Sequence, residues 1–86
     1  MNARQTLGWN VRALRVERGL SQEKLALAAG LDRAYTGRIE RGTENLTIAS
    51  IEAIANVLDV SISRLFATPP DDELPTRLRA GRKAKV

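Results

Sequence analysis

At 86 residues, the chain has room for one small domain with a modest core and none for a separate sensing domain. Apolar residues make up 43% and aromatic residues only 3%, so the core must be aliphatic, which suits a helical bundle better than a strand-rich fold. Neither cysteine nor histidine occurs, which excludes disulfides and thiolate chemistry and removes the commonest general base and metal ligand. The net charge of +4 favours a polyanionic partner through long-range attraction and counterion release.

The apolar spacing predicts a first helix from Ala3 to Arg18, with Leu7, Val11 and Leu14 at i, i+4 and i+7 as its buried stripe. Arg4, Arg12 and Arg18 fall outside that stripe, and Trp9 is expected to lie partly exposed beside it. Gly19 ends the helix and Leu20 folds back onto the core. Ser21 then caps a second helix, where Leu25, Ala26 and Ala29 form the apolar face, and Gly30 stops it. Leu31 fills the core, Asp32 caps a third helix carrying Arg33, Tyr35, Arg38 and Ile39, and Gly42 closes it. Two short helices joined by a glycine turn, the second exposing basic groups, form a helix-turn-helix.

After the loop Thr43-Glu44-Asn45-Leu46, Thr47 caps a fourth helix. Its inner face is expected to hold Ile48, Ile51, Ala55 and Leu58, with Ile54 alongside. Asp59-Val60 makes a turn, and Ser61 caps a last short helix with Ile62, Leu65 and Phe66. Pro69 and Pro70 stop helix formation, since the residue before a proline is pushed towards extended geometry. The expectation is an all-α, compact five-helix bundle over residues 1–68, followed by a disordered basic tail over 69–86. No run of 18 apolar residues and no signal-like N-terminus is present, so a cytoplasmic protein without a membrane partner is expected.

The run from Leu7 to Phe66 resembles the lambda-repressor-like helix-turn-helix domain of Cro and C1 repressors and the Xre regulators. The resemblance rests on Arg15, Gly19-Leu20-Ser21-Gln22-Glu23, Leu25-Ala26, Ala29-Gly30-Leu31 and Ile39-Glu40-Arg41-Gly42, and continues through Thr47, Ile51, Ala55, Leu58 and Val60. Within that family, Leu31-Asp32-Arg33-Ala34-Tyr35 through Ile39-Glu40-Arg41-Gly42, together with Asn45-Leu46-Thr47-Ile48, looks most like the controller proteins of restriction–modification systems.

The resemblance implies a transcriptional regulator that binds operator DNA as a homodimer, with its third helix in the major groove. It implies base-facing positions for Arg33, Ala34, Gly37 and Arg38, where Arg33 can pair with guanine and Ala34 can touch a thymine methyl. Gln22, opening the second helix, matches a phosphate contact strengthened by that helix terminus. Tyr35, Arg38, Asn45, Thr47 and Ser50 fall where relatives touch the backbone or adjacent bases. Arg15 and Glu40 match a buried ion pair tying the first helix to the end of the third. No cofactor is implied. Val57, Ile62 and Phe66 are the candidates for a dimer surface.

Three positions depart from the family pattern or from helix preference. Thr36 stands where a larger apolar residue is usual, which predicts loose packing beneath the third helix. Glu44 stands where controller-like relatives often carry a basic residue, and a carboxylate there repels phosphate. Gly37 costs a helix interior roughly 1 kcal/mol. Two other readings of the same residues are open. An antitoxin-like interaction module on the same fold would use Trp9 and the tail to hold a partner. Catalysis would rest on Asp32, Glu40 and Glu44, none of which has a nucleophile beside it.

Overall fold

Among the described residues, every helix begins on a side-chain cap, and four of the five end in the same backbone device. The computed structural model describes residues 1–70, and these form α1 (Ala3–Glu17), α2 (Gln22–Ala29), α3 (Arg33–Arg41), α4 (Ile48–Leu58) and α5 (Ile62–Leu65). Ser21, Asp32, Thr47 and Ser61 each accept from the backbone N–H three residues on, satisfying a donor that the first turn leaves free. Asn2 does the same for α1, and the Gln5 side chain answers by accepting from the Asn2 backbone. This reciprocal cap went unread in the sequence.

Helices α1 to α4 each run into a residue with positive φ, namely Gly19, Gly30, Gly42 and Asp59. The following N–H reaches back to a carbonyl of the last turn: Leu20 to Arg15 at 3.0 Å, Leu31 to Ala26 at 2.8 Å, Thr43 to Arg38 at 3.1 Å and Val60 to Ala55 at 3.0 Å. Leu20, Leu31 and Val60 then pack onto the core, so three of these four turns are fixed by a hydrogen bond and an apolar plug together. Asp59, at φ 58°, is the one non-glycine in this conformation among the described residues.

The core gathers Leu7, Val11 and Leu14 of α1, Leu25 of α2, Ile39 of α3, Ile51, Ile54, Ala55 and Leu58 of α4, and Leu65 of α5. Helix α1 packs on α3 and α5, and α2 on α3 and α4. Gly8 permits the first of these contacts. A Cβ there would stand 2.3 Å from the Ile39 carbonyl oxygen and 2.8 Å from that of Glu40, so α1 can approach the end of α3 only where no side chain intervenes. Asn10, two residues on and on another face of α1, secures the contact with α5. It is buried on α1, and its Nδ2 donates to the carbonyls of Leu65 and Ala67, both at 2.8 Å, satisfying the end of α5.

The structure corrects the sequence expectations for Ile48 and for the end of α1, and adds detail at Thr36 and Pro69. Ile48 is not on the inner face but 68% exposed, because α4 meets the core only from Ile51 onward and its first turn stands clear. Helix α1 stops at Glu17, one residue early, with Arg18 as its C-cap. Thr36 is fully buried, and its hydroxyl donates to the Asp32 carbonyl at 3.1 Å, so the polar atom is satisfied within its own helix. Pro69, placed in the tail by sequence, is buried, whereas Pro70 is exposed. The rest of the expected tail, 71–86, lies outside the described residues.

Candidate nucleic-acid interface

Helix α3 has one face built into the protein and one left open. Thr36 and Ile39 are buried in the bundle, while Arg33 and Ala34 in the first turn are exposed. Asp32 caps that turn by accepting from Tyr35 N at 3.1 Å, which holds the backbone of the exposed residues rigid.

The far end of α3 is anchored by a network around Glu40. Arg15 approaches it in a forked pair, Nε to Oε2 at 2.6 Å and Nη2 to Oε1 at 3.0 Å, with side-chain exposures of 12% and 3%. The remaining Arg15 Nη1 donates to the Leu20 carbonyl at 2.8 Å, so one guanidinium ties α1, the first turn and α3 together. Gln22 Nε2 donates to the same Glu40 Oε1 at 3.0 Å, which brings the start of α2 into the network. The side chain assigned to phosphate is thus already engaged within the protein and half-buried. Breaking one partner of such a pair typically costs about 3–5 kcal/mol, since it strands a desolvated charge.

Gly37, expected to face the bases, is buried beneath the side-chain ends of Arg41 and Gln22. A Cβ there would meet Arg41 Nη1 at 3.4 Å and Gln22 Oε1 at 3.7 Å, both far ends of flexible side chains. Arg41 itself was missed as a surface group of this face, although its spacing of four from Gly37 and eight from Arg33 puts all three on one stripe.

The remaining residues gather on the other flank of α3. Tyr35 is half-buried and its hydroxyl donates to Ser50 Oγ at 3.3 Å; Thr47 Oγ1 donates to the same oxygen at 3.1 Å. Thr47 and Ser50 are therefore first a helix cap and a link to the Tyr35 ring. Arg38 lies with its guanidinium carbon 5.9 Å from the centre of that ring and donates through Nε to Glu44 Oε1 at 2.7 Å. The hydrogen bond to Glu44 holds the Arg38 guanidinium above its ordinary pKa. Asn45 accepts from Arg4 Nη1 at 2.8 Å, a link across 41 residues for which the sequence carries no signal.

Comparison with known proteins sets this geometry in a family. The helix-turn-helix family matches residues 11–65. The chain is 41% identical to a hypothetical transcription factor of Neisseria meningitidis over 83% of its own length, spanning 66% of that relative. It is 38% identical to the control protein C.SmaI of Serratia marcescens, over 77% of this chain and 79% of that one. Among solved structures, the restriction–modification controller protein C.AhdI of Aeromonas hydrophila superposes with a TM-score of 0.71 at 43% identity, covering 73% of this chain and 96% of the controller.

The chain belongs to the Cro/C1-type helix-turn-helix family. It falls among DNA-binding transcriptional regulators, with restriction–modification controller proteins among its relatives. The matched span contains the network around Glu40 and all of α2 to α5, whereas Gly8 and Asn10 precede it. No helix among the described residues is long and apolar enough to cross a membrane.

Proposed function

We propose that this helix-turn-helix regulator binds an operator as a homodimer, with α3 of each protomer in the major groove. The observation that carries the proposal is the division of α3 into a buried, ion-paired side and an exposed first turn bearing Arg33 and Ala34. Such a turn can present a guanidinium to guanine and a methyl group to thymine, while the surrounding caps keep it from yielding. The assigned roles are base readout for Arg33 and Ala34, backbone contact for Tyr35, Arg38, Asn45, Thr47 and Ser50, and support through the α2 terminus for Gln22. Arg15 and Glu40 are structural.

A single α3 reads too few base pairs to select a site in a genome, which favours two-fold pairing and half-sites about 34 Å apart. The exposure of Ile62 at 38% and Phe66 at 41%, beside a half-buried Val57, supports α4 and α5 as the pairing surface. The controller proteins among the relatives make a regulator of restriction–modification genes the favoured biological setting.

Selection of bound duplexes from a random pool tests the proposal, with a two-fold symmetric consensus as the expected result. On that consensus, Arg33→Ala is expected to lose about 1–3 kcal/mol and to relax preference at the base it reads. Equal losses on consensus and scrambled duplexes would remove Arg33 as a base reader.

A further inference from the structure

The loop from Thr43 to Thr47 has an acidic side chain where DNA-facing geometry calls for a neutral or basic one, and that side chain is not loose. Thr43 Oγ1 donates to the Arg38 carbonyl at 3.2 Å and Asn45 is held by Arg4 at 2.8 Å, so the loop is fastened on both sides of Glu44. Its carboxylate points onto α3 and takes Arg38 Nε at 2.7 Å, leaving side-chain exposures of 44% for the arginine and 24% for the glutamate. Tyr35 lies beneath the same guanidinium, 5.9 Å from ring centre to its carbon, and limits where it can turn.

We infer that Glu44 is an intramolecular stand-in for a DNA phosphate: Arg38 leaves the carboxylate when it takes a phosphate of the operator, and Glu44 thereby sets operator affinity downward. The inference rests on the proposed docking of α3. A guanidinium binds carboxylate and phosphate oxygens through the same charge-assisted geometry, so a phosphate that takes the Nε edge of Arg38 competes with Glu44, which holds Nε in the free protein. In the free protein the pair is closed and nearly neutral from outside. On DNA, the new contact is offset by the loss of the old one, and the released carboxylate faces a polyanion. A plain acidic residue near DNA repels it whatever its neighbours; a competing partner acts through Arg38. That difference is measurable.

The test uses the full chain and a duplex recovered by selection, at about 0.1 M salt, where exposed charges still interact over roughly 10 Å. Affinities of the unsubstituted protein, Glu44→Gln, Arg38→Ala and the double variant form a cycle, with Glu44→Ala as a second way of removing the charge and thermal melting as a check on folding. Glu44→Gln is expected to tighten binding about two- to fivefold, the range available to an exposed ion pair. In the Arg38→Ala background most of that gain should vanish. An equal gain in both backgrounds would overturn the exchange and leave simple repulsion. Weaker binding by both Glu44 variants with an unchanged melt would also overturn it, since Glu44 would then touch DNA favourably itself. Failure of the unsubstituted protein to prefer any duplex would instead refute the docking of α3, and this inference with it.

Discussion

Adding one methyl group at Gly8 and adding the same group at Gly37 should move stability in opposite directions. Both glycines are interior to helices, where alanine is preferred by about 1 kcal/mol. At Gly8 the new Cβ would lie 2.3 Å from the Ile39 oxygen, 2.8 Å from the Glu40 oxygen and 3.0 Å from the Glu40 carbonyl carbon. Restoring ordinary contact at 3.4 Å requires the backbones of α1 and α3 to part by about 1 Å, because carbonyls cannot rotate aside as side chains do. Overpacking of a close-packed interior costs typically 1–3 kcal/mol, and a backbone obstacle belongs at the upper end of that range. Gly8→Ala is therefore expected to lose about 2 kcal/mol net of the propensity gain, which corresponds to a melting point lower by the order of 10 °C for a domain of this size.

At Gly37 the neighbours at 3.4 Å and 3.7 Å are the ends of Arg41 and Gln22, so the propensity gain survives. Gly37→Ala is expected to stabilise by about 0.5–1 kcal/mol. Urea and thermal unfolding followed by helical circular dichroism give both numbers, provided the urea m-value stays constant. A Gly8→Ala variant as stable as the parent would show that α1 does not approach α3 this closely. The reasoning on the α1–α3 contact would then fail.

Two further outcomes follow from particular atoms. Asn10→Ala strands the Leu65 and Ala67 carbonyls and is expected to cost about 1–3 kcal/mol in unfolding free energy; because it frees α5, a sedimentation measurement should also show weaker self-association. Asp59→Gly replaces an L-residue held at φ 58° and ψ 48°, and the relief of left-handed strain should raise stability by up to about 1 kcal/mol without touching DNA affinity.

Much of this molecule was legible in the residue order because the signals are local. A cap accepts from an N–H three residues away, a helix ends within two residues of its glycine, and an apolar stripe repeats every three or four positions. Ser21, Asp32, Thr47 and Ser61 declare their helices in this way, and Leu7, Val11, Leu14, Ile51 and Leu58 their inward faces. Ile48 shows the limit of the pattern. Periodicity says which side of a helix is apolar, not how far along the helix the core extends.

The order of residues thus determined the element list, the family and the exposed position of Arg33 at the start of α3. Tertiary structure alone decided which distant groups Gly8, Asn10 and Arg38 meet. Gly8 matters because a helix 31 residues later presents its carbonyls there, and Asn10 because the chain returns 55 residues later. Arg38 meets Glu44 because the loop closes back over α3. Distant contacts depend on the packing angles of several helices at once, and no fixed spacing in the chain encodes them.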